Sequence, residues 1–473
     1  LALKSDPRPG SSIFHNYFWS LLNLGVSKGL RFAGIVLCVR QIGIINWGQV
    51  ASALVAVTFI GFLVDQGLSG TPQVYKVQDR SLDWVLVRTI SRYRFTLAVI
   101  VISLLHVGRI FWAFPSALVL TYSYVLLARS LAIDWIFHRR EKYHLTLLIN
   151  TVRTVVFFSL VALVLAKKST PATVIAIEIA SETIGLIFSY ALVGRLGISA
   201  DSIPGRLPLK ALLLFSLPIL LTGTMDTALG SADILVLKSL TGYDETGQYD
   251  IGGKIGMFYF FLGATLIQII LPKLARLHAA ADVKNMREIL AATGKILLLL
   301  GTALLIPSFY FARELVTLFF KQDNSLTIFV FQWIPIWVYV TPLTMLNVVV
   351  LLATNRRKDY LIGGVLAAAV NVGANFAMIS FYGGRGAVFA RFASESVLLV
   401  YSFSRLPQDF RIGQLRDYGI HFGNLALQII WFRLYAGFGH RDLFLALSIL
   451  SFIAIVLFQR TVSRKTFDTL VLN

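Results

Sequence analysis

Residues 14–40 read FHNYFWSLLNLGVSKGLRFAGIVLCVR. The stretch exceeds the roughly 20 mainly apolar residues that a helix needs to cross a bilayer. Yet it carries Lys28 and Arg31 near its middle, flanked by Gly25, Gly29 and Gly34. A cation at bilayer depth costs at least ~2.5–3.5 kcal/mol, so it faces a wet cavity, an anion or a neighbouring acid. Lys28 and Arg31 are one helical turn apart and share a face. They read either as snorkelling or paired structural cations, or as an anion site inside a transporter.

The rest of the chain fits a membrane. Of 473 residues, 56% are hydrophobic and 14% charged, against about 25% charged in soluble domains. Apolar runs bounded by charge and Gly/Pro clusters predict about fourteen transmembrane helices. The first six lie near 14–39, 48–72, 92–108, 112–137, 145–166 and 171–194. The next six lie near 210–237, 248–272, 290–312, 326–353, 360–382 and 386–404, and two more near 418–436 and 442–459. The thirteenth is the weakest, because His421 and Arg433 lie within it. The connections leave no room for a soluble domain.

The net charge of +19 invites a nucleic-acid reading. Its placement argues otherwise. With the N-terminus inside, cytoplasmic segments hold roughly three times as many Lys and Arg as external ones. The charge is thus a topology signal, with both ends expected in the cytoplasm and the N-terminal LALKSDPRPGSS a short tail without a signal-peptide pattern. The single cysteine, Cys38, excludes an internal disulfide, and the seven histidines form no metal-ligand spacing.

The halves repeat. RREKY at 139–143 returns as RRKDY at 356–360, ASETIGLIFSY at 180–190 as ASESVLLVYSF at 393–403, and WGQV at 47–50 as TGQY at 246–249. Six spans map onto six in the same orientation, which implies a pseudo-two-fold along the membrane normal and a substrate site between the lobes. The expected domains are an N-terminal six-helix lobe (1–200), a C-terminal six-helix lobe (201–410) and two further transmembrane helices (411–473).

DWIFHRREKY at 134–143, the segment 216–255, LLATNRRKDY at 351–360 and FYGGRGAVFARFASE at 381–395 resemble Wzx-type polysaccharide flippases. The superfamily of that family also holds multidrug/toxin exporters and lipid II flippases. The resemblance implies an all-α polytopic fold, with two pseudo-symmetric six-helix lobes in a V plus two C-terminal helices. It implies movement of undecaprenyl-pyrophosphate-linked oligosaccharide from the inner to the outer leaflet of the bacterial inner membrane. Membrane lipids, and a polysaccharide polymerase and chain-length proteins, are the implied partners. In relatives, cations on the first, second and eighth helices line a cationic cavity. Lys28, Arg31 and Lys254 match the first and eighth, whereas the second span offers only Asp65.

Seven cations lie within spans: Lys28, Arg31, Arg129, Arg153, Lys254, Arg391 and Arg433. A pyrophosphate diester carries about two negative charges and needs charge-assisted donors in a desolvated place. Lys28, Arg31 and Lys254 are the expected clamp, with Arg129, Arg153 and Arg391 as further substrate contacts and Arg433 as an edge contact. Acids at Asp65, Asp226, Asp233, Asp250 and Glu395 are candidates for proton or sodium coupling, since neighbouring carboxylates raise each other's proton affinity. Asp134, Glu178 and Glu182 are further intramembrane acids. Asp250 with Lys254, and Arg391 with Glu395, stand four residues apart and read equally well as intrahelical pairs. No resident cofactor is expected.

Other classes fit less well. A multidrug/toxin exporter would want an acidic or aromatic cavity, against the paired cations of the first span. An oligosaccharide polymerase or ligase would need a long external loop, and no nucleophile–base arrangement points to an enzyme. A scaffold protein leaves the repeated buried charges without a role.

Overall fold

The computed structural model describes residues 11–73, 83–112, 116–140, 142–167, 169–194, 209–321 and 323–459. The expected N-terminal tail, Pro115 and the basic residues within 74–82, 195–208 and 460–473 lie outside them. The described residues form helices and no strand. In order they are α1 (Ser11–Ile42), α2 (Ile44–Asp65), α3 (Asp83–Trp112), α4 (Ala117–Ser123), α5 (Val125–Ser130) and α6 (Trp135–Arg139). Next come α7 (Tyr143–Leu160), α8 (Pro171–Val193), α9 (Leu209–Leu240), α10 (Tyr243–Ala279), α11 (Val283–Tyr310) and α12 (Ala312–Phe320). The last are α13 (Ser325–Ala353), α14 (Arg357–Tyr382), α15 (Gly384–Ser404), α16 (Gln408–Phe438) and α17 (Arg441–Gln459).

Every expected span carries helix. Among the described residues, 10 helical segments are long and apolar enough to cross a membrane. Large apolar side chains stay exposed along them, among them Ile110, Leu163, Leu214, Phe381, Val400 and Leu457. Such a surface is at home only in lipid. This is a multi-pass α-helical membrane protein.

Three spans differ from expectation. The second ends at Asp65 rather than near 72, because Gln66 and Gly67 turn left-handed, at φ 48° and 76°. The third starts nine residues early, at Asp83, which places Arg94 well inside the helix rather than in its first turn. The fourth is broken into α4, α5 and α6. Ser123 and Ser130 donate back to the carbonyls of Leu120 and Leu127, at 2.7 Å each, and compete with the helical ladder at both breaks. Broken backbone at membrane depth is tolerated where it is buried in protein or lines a cavity.

The chain forms two compact units, Phe18–Gly247 and Gln248–Asn473 with the first seventeen residues. In the first, Val57, Ala98, Leu126 and Ile175 join α2, α3, α5 and α8. Leu86, Ile136, Phe137, Ile149 and Leu212 make a second core. The repeated glycines explain one close approach. A Cβ on Gly48 would fall 2.0 Å from the carbonyl oxygen of Tyr243, and one on Gly247 would fall 2.2 Å from that of Ile44. The first turns of α2 and α10 therefore meet backbone to backbone.

The repeated Arg pairs act as fasteners. Fully buried Arg139 holds Asp83 at 2.6 Å and donates to the Pro72 carbonyl at 2.8 Å, while Arg140 takes the other Asp83 oxygen at 2.7 Å. In the second unit Arg356 donates to the Arg405 carbonyl at 2.9 Å.

α13, apolar on all sides, is the central helix of the second unit and is mostly buried. α16 and α17 dock on α11 and α13 through Phe309, Tyr339, Leu425, Phe432 and Phe444. Of the two residues that weaken the thirteenth span in sequence, His421 is buried and Arg433 is exposed, while other polar residues of α16 face inward. Asn424 donates to Thr302 at 2.7 Å and to the Tyr339 hydroxyl at 3.1 Å, Gln428 to Ser451 at 3.2 Å, and Tyr418 bonds Asn347.

Candidate functional site

The charged site lies in the unit Phe18–Gly247. Arg31 of α1 pairs with Glu178 of α8, and its guanidinium sits 3.9 Å from the ring centroid of Phe157 on α7. Gly34 makes room for that ring, since a Cβ there would lie 2.7 Å from it. Just beyond Phe157 the helix widens into a π turn at Val161–Leu165. Such turns recur at functional sites. Lys28 stands one turn before Arg31 and is half-buried. No atom comes within 4 Å of where a Cβ would sit on Gly25 or Gly29, so this face of α1 borders open space.

One turn after Glu178, Glu182 stands between two arginines: Arg129 at 3.5 Å and Arg153 at 3.4 Å. Arg129 also donates to the Tyr122 hydroxyl at 3.0 Å. Arg153 reaches Asp134 at 2.8 Å, and Asp134 accepts from Ser189 at 2.8 Å. The broken fourth span delivers Tyr122, Arg129 and Asp134 to one place. Gly185 opens the path for Arg153, whose Cγ and Nε would lie 2.2 and 2.4 Å from a Cβ at that position. Arg94 extends the array, donating to the Arg129 carbonyl at 2.5 Å and holding Asp65 at 3.1 Å.

The array joins the cations Lys28, Arg31, Arg94, Arg129 and Arg153 with the carboxylates Asp65, Asp134, Glu178 and Glu182. One positive charge remains in excess. Pairing offsets much of the several kcal/mol that each ion loses on leaving water. Arg31 and Arg129 keep about a third of their side chains exposed, at 35% and 36%, while Glu178 keeps 5%. Glu178 lies at the buried base, whereas Glu182, Asp134 and Asp65 share the accessible face with the guanidinium edges of Arg31 and Arg129. Chemically this is a donor-rich, weakly positive surface suited to an anion.

The other expected residues make contacts within their own units. Lys254 pairs with Asp250 at 3.1 Å within α10. Arg391 lies 4.2 Å from the Trp337 ring centroid, and Trp337 donates to Glu395 at 3.2 Å, so this cluster is organised by an indole. Arg433 lies over Trp333 at 5.4 Å. On α9, Asp233 is buried with an oxygen accepting from the Ile234 amide at 2.9 Å, whereas Asp226 is exposed. Arg94, Tyr122, Phe157 and Trp337 were not singled out in the sequence. In sequence Arg94 is one of several basic residues between 88 and 94, and the aromatics are three among many.

An array of ion pairs within a set of membrane-crossing helices, one of them broken, defines a polytopic membrane protein with a charged intramembrane site. Lipid II flippase MurJ, in an inward closed conformation, has the same fold: TM-score 0.68, 13% identity, covering 94% of this chain and 99% of that one. An inward-facing multidrug resistance MATE family transporter of the MOP superfamily also matches, with TM-score 0.60 and 13% identity over 85% of this chain and 98% of its own. A variant of the Vibrio cholerae MATE transporter VcmN gives 0.56 and 14%, over 86% and 97%. No curated protein sequence matches the chain. The family model described as polysaccharide biosynthesis protein matches residues 13–278, and the chain belongs to that family.

Proposed function

We propose that this protein is a flippase that moves an undecaprenyl-pyrophosphate-linked oligosaccharide from the cytoplasmic to the outer leaflet of a bacterial inner membrane. The observation that carries the reading is the Arg31–Glu178, Arg129–Glu182–Arg153 array, a cationic surface at membrane depth in a chain of the polysaccharide biosynthesis family. Lys28, Arg31 and Arg129 bind the pyrophosphate through charge-assisted hydrogen bonds. Arg153 and Arg94 hold the acids in place beneath them. The polyprenyl tail stays in lipid while alternating access carries the glycan across.

Two negative charges leaving a negative interior gain about 4.6 kcal/mol per 100 mV, so the membrane potential alone supplies a large driving force. Protons or sodium ions entering at Glu395, Asp233 or Asp250 add to it. The Lys/Arg bias supports cytoplasmic termini.

The test is thermal stability of the purified protein with undecaprenyl-pyrophosphate oligosaccharide, with free sugar, and with an organic cation. A ligand at 100 times its dissociation constant stabilises by about 2.7 kcal/mol. Stabilisation by the lipid-linked sugar, lost on Lys28→Ala/Arg31→Ala, supports the flippase. Stabilisation by the organic cation alone assigns the protein as a multidrug/toxin exporter instead.

A further inference from the structure

A second cavity lies in the unit Gln248–Asn473, far along the helices from their most basic ends. It holds about 570 Å³, within the usual range for small-molecule sites. The end of α11, the starts of α12, α13 and α15 and the end of α16 line it. Its aromatic surfaces are Phe309, Phe329 and Tyr435, and its polar groups include Gln332, Arg313 and Arg385. Phe329 belongs to an aromatic wall, with Trp333 at 5.8 Å and Phe389 at 6.2 Å between ring centroids.

The charges around it are not equivalent. Arg313 is engaged by Asp323 at 3.1 Å, and Glu314 by Arg441. Among the described residues, no carboxylate pairs with Arg385. Its guanidinium rests 5.0 Å from the Phe329 ring centroid and its side chain is exposed. Stacking there fixes the plane of the guanidinium and leaves its fork of donors for a carboxylate. A flat apolar ring next to an unneutralised fork and a side-chain amide matches one chemistry. The C–H face of a pyranose packs on the aromatic lining of Phe309, Phe329 and Tyr435, Gln332 meets its hydroxyls, and a carboxylate on the sugar meets Arg385.

We propose that this cavity binds an acidic sugar, a hexuronate or another carboxylate-bearing pyranose, as a glycan subsite on the outer side of the membrane. The proposal rests on the flippase reading and on the orientation with cytoplasmic termini, and it adds that the transported oligosaccharide contains such a sugar.

The test is saturation-transfer NMR on the purified full chain in detergent. The probes are glucuronate and galacturonate, against glucose, galactose and benzoate. The expected result is transfer to the ring protons of a uronate, with neutral hexoses and benzoate weaker. Arg385→Gln should weaken uronate binding about ten-fold, and Phe329→Leu should remove ring-proton transfer. Arg287→Gln, at the opposite end of α11, should change neither. Absent uronate transfer, transfer unaffected by Arg385→Gln, or equal transfer to benzoate would each overturn the proposal. The assay needs no lipid carrier and no translocation, so its failure leaves the flippase reading standing. Conversely, sugar binding here with no response to the lipid-linked sugar would remove the flippase and keep the subsite.

Discussion

Gly48 and Gly247 make the same contact twice. Each lies four residues after the carbonyl that the other glycine approaches, Ile44 for Gly247 and Tyr243 for Gly48, and a Cβ would close those gaps to 2.2 and 2.0 Å. The two glycines are equivalent in the WGQV and TGQY segments, so the contact between the first turns of α2 and α10 is reciprocal.

Backbone cannot step aside as a side chain can, so Gly48→Ala or Gly247→Ala should each destabilise the protein by about 1–3 kcal/mol or more. Thermal unfolding in detergent would measure it. Because both variants pry apart one crossing, the double variant should lose less than the two single losses added together.

Arg31→Gln should abolish translocation in liposomes. It leaves Glu178 buried without its cation, and the cost is about 2 kcal/mol, below that of a fully buried pair because Arg31 is 35% exposed. Exchanging the charges, Arg31→Glu with Glu178→Arg, should recover most of that stability and none of the transport. Recovery of transport by the exchanged pair would show that the pair is structural.

Gly185→Ala adds one methyl group where the Arg153 side chain crosses α8. Arg153 must withdraw from Asp134 and Glu182, which frees Glu182 to neutralise Arg129 alone. The expected outcome is a folded protein whose affinity for the lipid-linked pyrophosphate falls by about ten-fold. Calorimetric titration of the variant against the parent would read it.

Orientation is directly testable, because the one native cysteine, Cys38, is buried. Ser239→Cys, at the end of α9, should react with an impermeant maleimide on intact cells stripped of their outer membrane. His278→Cys, at the end of α10, should react only after permeabilisation. The reverse pattern would invert the topology.

Asn424→Leu should cost about 1–3 kcal/mol, since Thr302 and the Tyr339 hydroxyl lose a buried donor. Denaturant titration should show α16 and α17 unfolding together with the rest of the second unit. Early independent loss of these two helices would mean that the buried hydrogen bonds do not fasten them.

The spans were legible because length and hydropathy are local properties. Where the chain departs from a simple helix, the cause is equally local but weaker: the left-handed Gln66–Gly67 turn and the serines at 123 and 130 hardly alter hydropathy. The charged site was legible in part. Lys28, Arg31, Arg129 and Arg153 stand out as cations in apolar surroundings, but nothing in one dimension says that Arg31 meets Glu178, 147 residues away. The repeat misleads at that point. The alignment that matches Glu182 to Glu395 places Glu178 opposite Arg391, so equivalent positions carry opposite charges. The Glu178 network is therefore not copied in the second unit, where Trp337 takes the organising role.

The carboxylates beneath the cations also bear on turnover. A bare cluster of five cations at low dielectric would hold a pyrophosphate so tightly that dissociation would limit every cycle. Here each guanidinium already has an internal anion, so under the proposed function an arriving phosphate would only exchange one partner for another. On departure, Glu178 and Glu182 retake the arginines and no naked charge is left behind. In the proposed flippase, residence time would thereby be kept short, since a carrier that must let go as readily as it grips is served by a site that competes with its own cargo.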